Sequence, residues 1–273
     1  MPWPGLIRCS PPRKKTSKLF EGSQLPESRN IPQHVAVIMD GNRRWARMRS
    51  VSSVLGHDRG SSVIEGIARH AYDMGVKWLT LFAFSTENWR RSPVEVRGIM
   101  SVLERYLKTK IHTLMENNIR LRVIGDLSGF PSNTIEMLRN AVKETSTNDG
   151  LNLTVALGYG GHADITGAAR RLAEMVRNGE IEPSMIDGDL IKDHLHTKDL
   201  PPVDLLIRTG QEQRISNFLL WDLAYAEFAF TDTLWPDFTP DHFSVILEEY
   251  ARRNRRFGGD DEGDASPLKA LSS

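Results

Sequence analysis

His34-Val35-Ala36-Val37-Ile38-Met39-Asp40-Gly41-Asn42-Arg43-Arg44-Trp45-Ala46 is the stretch that decides how this chain folds. An apolar run ends abruptly in one acid, a glycine, an amide and two arginines. A continuous apolar run bounded in this way is the pattern of a strand covered on both faces. Polar residues that follow such a strand stand at its carboxyl end, where open α/β sheets bind ligands. Asp40 has the hard oxygen donors that a divalent cation takes. Gly41, Asn42, Arg43 and Arg44 offer backbone amides, a side-chain amide and guanidinium forks to phosphates. The alternative for Asp40 is an N-cap on the helix that follows.

Working outward, residues 78–84, 121–124, 151–157 and 203–207 have the same apolar character and read as further strands. Between them the spacing turns helical. Val96, Ile99, Met100, Leu103 and Leu107 share one helix face, with Pro93 near the first turn, and Ile165, Ala168, Ala169, Leu172 and Met175 share another. This alternation predicts an α/β fold with a central, mostly parallel sheet of about six strands flanked by helices. The stripe from Val96 to Leu107 suits a core helix or the wall of an apolar tunnel, and periodicity does not separate the two.

The 273 residues divide into a flexible basic arm over 1–30, one catalytic-sized domain over 31–257 and a disordered acidic tail over 258–273. The arm carries five prolines and the cluster Arg13, Lys14, Lys15 and Lys18. Basic and acidic residues balance at 35 each, so no global field calls for nucleic acid. The single cysteine, Cys9, excludes an intrachain disulfide and a multi-cysteine zinc site, and suits a reducing cytoplasm. No apolar stretch approaches the roughly 20 residues of a membrane span. GxxxxGK[ST], HExxH and GxSxG are all missing, which argues against P-loop, zincin and α/β-hydrolase chemistry.

Further polar clusters follow predicted strands. Ser85-Thr86-Glu87-Asn88-Trp89-Arg90-Arg91-Ser92-Pro93 gathers hydroxyl, amide, indole and guanidinium groups on one loop. Trp89 suits the lid of an apolar pocket or a plain core position. In Arg208-Thr209-Gly210-Gln211-Glu212-Gln213-Arg214-Ile215-Ser216-Asn217, Arg208, Arg214 and Ser216 can converge on a diphosphate, with Glu212 as counter-ion. The alternative is a salt-bridged surface loop. Gly158-Tyr159-Gly160-Gly161 offers an unspecific anion nest, and His57 precedes a helical stretch beside arginines. Glu227 lies inside the aromatic run 224–230 and needs an arginine or a metal as partner if buried. With Asp40 it would supply two oxygen ligands to Mg²⁺.

HVAVIMDGNRRWA, FAFSTENWRRSPVEV, LNLTVALGYGG, LLIRTGQEQRISNFLLWDLAYAEFAFTDTLWPDF and RRNRRFGG, in that order over about residues 31–259, resemble the cis-prenyltransferases. This is the family of undecaprenyl diphosphate synthase and the short-chain Z-prenyl diphosphate synthases. The resemblance implies a homodimer, an apolar tunnel for a growing chain and Mg²⁺-dependent condensation of isopentenyl diphosphate with an allylic diphosphate. It implies that Asp40 governs the metal and the leaving diphosphate, with Glu227 completing the metal site from the neighbourhood of a partner subunit. Gly41, Asn42, Arg44, His57 and Arg91 match the allylic diphosphate pocket, with Arg43 and Trp45 counted beside them. Arg208, Arg214 and Ser216 match the isopentenyl diphosphate pocket, and Ser85, Asn88 and Trp89 the loop near the reacting carbons. Asp40, Ser85 and Asn88 are thereby the expected catalytic residues. A lipid product implies peripheral membrane contact.

Three positions depart from the family pattern. Arg43 stands where bacterial members often have glycine, Ser53 where long-chain enzymes carry an arginine, and Gln211 where a second glycine is usual. Arg43 is expected to replace part of the charge missing at Ser53. Gln211 is expected to alter a site that a glycine would hold at positive φ or in close approach. An irregular, head-to-middle condensation of two allylic diphosphates, of the lavandulyl type, is the alternative reaction. A non-catalytic partner subunit is the alternative of another class, but such subunits tend to lose the aspartate and the arginine loop, and this chain keeps both.

Overall fold

A computed structural model describes residues 30–253. The expected tail over 258–273 and the expected arm, up to residue 29, lie outside the described residues. Among the described residues six strands form one sheet: β1 (His34–Ile38), β2 (Trp78–Ser85), β3 (Arg120–Ile124), β4 (Asn152–Tyr159), β5 (Leu205–Arg208) and β6 (Glu227–Phe230). Their spatial order is β3-β4-β2-β1-β5-β6, and every pairing is parallel. The five apolar runs became the five strands β1–β5. The sixth, β6, is an edge strand in which only Ala229 is buried.

Among the described residues seven α-helices connect and cover the sheet: α1 (Asn42–Met48), α2 (Ser53–Asp73), α3 (Pro93–Glu116), α4 (Ser132–Glu144), α5 (Gly161–Arg177), α6 (Gly188–Asp193) and α7 (Pro240–Ala251). Their starts are written locally. Ser52 caps α2 by accepting from the Leu55 amide, and Ser92 caps α3 by accepting from the Glu95 amide at 3.3 Å, with Pro93 in the first turn.

Alternation along β1 divides the interior. Val35 and Val37 join a core with Leu79, Leu81, Leu107 and Phe243, whereas Ala36 and Ile38 join a second core with Tyr159, Leu206 and Phe218. Successive strand residues point to opposite faces, so the sheet is covered on both sides. Leu79 and Leu81 are fully buried, and burial of each such side chain stabilises by about 2 kcal/mol.

The topology positions the site. From β1 the chain moves to β2 on one side, and after β4 it returns to β5 on the other. β1 is therefore the strand from which the connections diverge, and a crevice opens beyond its carboxyl end. Asp40 lies there.

Candidate active site

Asp40 is held rigidly. Its carbonyl oxygen accepts from the Thr209 hydroxyl at 2.7 Å and from the Trp235 amide at 3.0 Å. Gly41 follows at φ 112°, and a Cβ there would meet Leu234 at 2.9 Å, so glycine is required both by conformation and by space. Gly41, not Asp40, is the N-cap residue of α1, and no side chain caps that helix. The cap alternative for Asp40 is thus corrected: its carboxylate faces arginines instead. Oδ2 accepts from Arg208 Nη2 at 2.8 Å, Oδ1 accepts from the Gly41 amide at 2.6 Å, and Arg44 Nη2 stands 3.3 Å from Oδ1. Partial burial alone would raise the Asp40 carboxyl, but the hydrogen bond and charge of Arg208, with Arg44, outweigh it and hold the group below the usual carboxylate range.

Arg208 ends β5 and is almost fully buried. Its Nη1 donates to Ser216 Oγ at 2.7 Å and to the Arg214 carbonyl. The loop that carries these groups is wound tightly: Gly210, Gln211, Ser216, Asn217 and Leu219 all have positive φ. Gln211 is at φ 70°, the left-handed conformation expected of a glycine at that position. Glu212 pairs with Arg214 and reaches 4.0 Å from Arg44, so it is the counter-ion of this set.

A second cationic group gathers around Glu95, which sequence reasoning missed. Its Oε1 is 3.1 Å from Arg91 Nη1, 3.5 Å from Arg43 Nε and 3.8 Å from His57 Nε2. A glutamate in a first helical turn reads as an ordinary dipole partner, and only its burial marks it out. Burial, then the charge of Arg91, lower the His57 pKa to about 4 against the pull of Glu95, so this imidazole is neutral at pH 7.

Both groups open onto one cavity of about 1400 Å³. Asp40, Gly41, Asn42, Arg43, Arg44, His57, Ser85, Asn88, Arg91, Arg208, Arg214 and Ser216 all line it. Its wall also includes the apolar side chains of Ile64, Leu103, Leu107, Leu121, Leu153 and Leu157. Buried side-chain atoms without a hydrogen-bond partner concentrate here: Asn42 Oδ1, His57 Nε2, Tyr106 Oη and Arg208 Nε all belong to lining residues. Unpaired buried polar atoms are costly, and their grouping around a cavity marks a ligand site.

Ser85 and Asn88 also have a local task. They form a capping box on the short 3-10 turn Thr86–Arg90, with Asn88 Oδ1 accepting from the Ser85 amide at 3.2 Å.

Three expected site residues are not brought to the cavity. Trp45 points away: its indole N–H donates to Asp237 Oδ1 at 2.8 Å, and Arg49 stacks 4.2 Å above its ring. Trp89, 36% exposed, packs edge-on against Phe84 and Phe130, at 4.8 and 5.1 Å between centroids. Glu227 pairs with Leu205, which pairs with Val35, so it lies five residues before Asp40 in register. That is about 16 Å along the strands, at the opposite end of the sheet. Its carboxylate accepts from Arg253 Nη1 at 2.7 Å. Within one chain Glu227 and Asp40 do not share an ion.

Residues 38–258 match the family model Prenyltransf, described for undecaprenyl diphosphate synthase. The chain is 48% identical over 229 residues to the isoprenyl transferase of Bacillus subtilis (strain 168), covering 84% of this chain and 88% of that protein. It is 44% identical over 243 residues to the ditrans,polycis-undecaprenyl-diphosphate synthase ((2E,6E)-farnesyl-diphosphate specific) of Escherichia coli (strain K12), covering 88% and 96%. The crystal structure of lavandulyl diphosphate synthase from Lavandula x intermedia, in complex with dimethylallyl diphosphate, superposes with a TM-score of 0.82 at 38% identity, covering 84% of this chain and 99% of that one. The parallel sheet, the aspartate at its switch point and these matches agree: the chain belongs to the undecaprenyl diphosphate synthase family of cis-prenyltransferases.

Proposed function

We propose that this enzyme condenses isopentenyl diphosphate with an allylic diphosphate in cis configuration and repeats the step to build a long polyprenyl diphosphate. The observation that carries the reading is the cavity itself. Two cationic groups line it beside Asp40, together with a set of aliphatic side chains. One group around Arg91, Arg43 and His57 suits the allylic diphosphate, and the other around Arg208, Arg214 and Ser216 suits isopentenyl diphosphate. Each binds oxyanions through forked or charge-assisted hydrogen bonds.

In the reaction the allylic C1–O bond breaks and the electron pair leaves with the diphosphate. The double-bond electrons of isopentenyl diphosphate then form the new bond to C1, and loss of a C2 proton restores a double bond. Arg44, Arg91 and the Gly41 amide oppose the charge that develops on the leaving group. The Arg208 group holds the acceptor so that its double bond meets C1, which is catalysis by positioning. The apolar walls keep water from the cation. Ser85 and Asn88, which line the cavity, are the groups proposed to relay the proton to the released diphosphate.

Mg²⁺ is part of the proposal. Among the described residues no three His, Cys, Asp or Glu side chains form a metal-holding group. Asp40, 29% exposed at the mouth, is a single carboxylate to which a ligand's phosphates add, a donor set that Mg²⁺ accepts. When bound, the ion neutralises diphosphate charge as a Lewis acid. Glu227 can complete such a site only for the Asp40 of another chain, which fits the proposed homodimer. Among the described residues no helix is long and apolar enough to cross a membrane. A cytoplasmic location, with peripheral membrane contact through the lipid product, belongs to the same proposal.

A second reading, irregular condensation of two dimethylallyl diphosphates, has the lavandulyl diphosphate synthase structure and the unusual Gln211 in its favour. Cavity size favours the first. The cavity of about 1400 Å³, with Ile64, Leu103, Leu107, Leu121, Leu153 and Leu157 in its wall, is larger than a ten-carbon product and two diphosphates require. Mass analysis of products made with Mg²⁺ from dimethylallyl, geranyl or farnesyl diphosphate, each with isopentenyl diphosphate, tests the proposal. Long products from an allylic starter support it, and a branched ten-carbon product from dimethylallyl diphosphate alone would replace it with the second reading.

A further inference from the structure

Asn217 lies in the loop after β5, in which several residues have positive φ, but it reaches two other loops at the carboxyl end of the sheet, those after β4 and β2. Its Oδ1 accepts from the His162 amide at 2.8 Å, and its carbonyl oxygen accepts from the Gly161 amide at 2.7 Å, which ties it to the start of α5. Its Nδ2 donates to Glu87 Oε1 at 2.9 Å, which ties it to the loop after β2. Burial alone would raise the Glu87 carboxyl, but the Asn217 hydrogen bond and its own loop outweigh this and keep it below the ordinary range. Asn217 itself is at φ 62°, a conformation that asparagine tolerates better than most residues. The junction is close: a Cβ on Gly160 would stand 2.6 Å from Thr86 Oγ1 and 2.8 Å from Asn217 Nδ2. Both Asn217 and Glu87 line the cavity.

The two loops so joined carry the two proposed diphosphate groups. Ser216, next to Asn217, holds Arg208; Glu87 belongs to the turn that leads to Arg91. We infer that Asn217 is a positioning residue whose bond to Glu87 couples the isopentenyl diphosphate pocket to the allylic pocket, so that filling one sets the geometry of the other. This rests on the substrate assignment above. The side-chain oxygen and nitrogen of Asn217 are both engaged by the protein, and its part is to hold two loops in register. Such coupling is a ratio of affinities and is reciprocal.

The chemistry of the pair supplies its own test. Asn217→Asp keeps an oxygen for the His162 amide but sets a carboxylate against Glu87. Glu87→Gln then offers an amide N–H to that carboxylate, so the double variant E87Q/N217D restores the bond with donor and acceptor exchanged. Glu87→Ala breaks the link from an exposed position, without burden on folding. Calorimetry would measure isopentenyl diphosphate affinity with and without an unreactive thiolo analogue of the allylic diphosphate. KM for each substrate and kcat would be measured alongside. The expected result is coupling in the unmodified enzyme that falls about fivefold or more in N217D and E87A. Both KM values should rise with kcat less affected, and E87Q/N217D should return to within about twofold of the unmodified enzyme. Independent affinities in the unmodified enzyme, unchanged coupling in E87A, or a double variant no better than N217D would overturn the inference. Failure of the unmodified enzyme to bind either diphosphate would instead refute the substrate assignment beneath it.

Discussion

Glu95→Gln is the most informative single perturbation of the cation group at the mouth. Three positive or potentially positive groups face one buried carboxylate, but they do not count equally. His57 is neutral at pH 7, with a pKa of about 4, and adds no ion pair there. Arg43 is 64% exposed, so solvent screens most of its attraction. Arg91, 26% exposed and 3.1 Å away, is the pair that matters. Removing one partner of a buried pair costs 3–5 kcal/mol, and discounting for the partial exposure of Arg91 leaves about 2 kcal/mol. For a domain of this size that lowers the melting temperature by about 4–8 °C. The uncompensated Arg91 then gains more from a bound anion. Thermal melts with and without inorganic diphosphate should therefore show a lower baseline for Glu95→Gln and a larger ligand-induced rise than the unmodified protein. An unchanged melting temperature, or a ligand-induced rise no larger than the original, would refute the reasoning.

Buried neutral histidines make the fold acid-sensitive. His34, lowered to about 4 chiefly by burial, and His57, also at about 4, bind more protons unfolded than folded between roughly pH 6.5 and 4. Stability is full above that window and falls by about 3 kcal/mol per histidine as pH drops through it, and His57→Gln should flatten the urea-midpoint profile by one such step. Parallel profiles would remove His57 from the account. Gln211 at φ 70° predicts that Gln211→Gly is neutral or stabilising in thermal melts, while β-branched Gln211→Val costs about 1–2 kcal/mol. Equal effects of the two would mean the loop does not hold that conformation in solution. Trp45 lies outside the cavity, so Trp45→Phe should lose the Asp237 bond and about 1 kcal/mol of stability while each KM moves less than twofold. A tenfold rise in either KM would return Trp45 to the substrate.

Much of this architecture was legible from residue order. Strands β1, β2, β4 and β5 are largely apolar on both faces because both are covered, so each stood out as a run, and in β3 the signal came from Leu121, Val123 and Ile124 despite Arg120 and Arg122. β6 did not, because only its Ala229 is inside and the strand opens on a glutamate. Asp40, Arg208, Arg214 and Ser216 were readable because each follows a strand into the same crevice. Glu95, Glu87 and Asn217 were not, because what distinguishes them is whom they touch across the fold. Trp45 and Glu227 show the converse: neither reaches the cavity of its own chain. Proximity in sequence to a functional motif does not tell which way an indole points, and a carboxylate in a diagnostic run can begin a strand whose other end faces the site.

The central claim is that Asp40, set between Arg208 and Arg44 at the end of β1, governs ionisation of an allylic diphosphate at the mouth of an apolar chamber. Incorporation of labelled isopentenyl diphosphate into extractable polyprenyl product, with farnesyl diphosphate and Mg²⁺, tests it most directly when the unmodified enzyme is compared with Asp40→Ala. A loss of about a thousandfold in turnover, with the variant folded and still binding farnesyl diphosphate, is the predicted result. Asp40→Ala turning over within tenfold of the unmodified enzyme would contradict it.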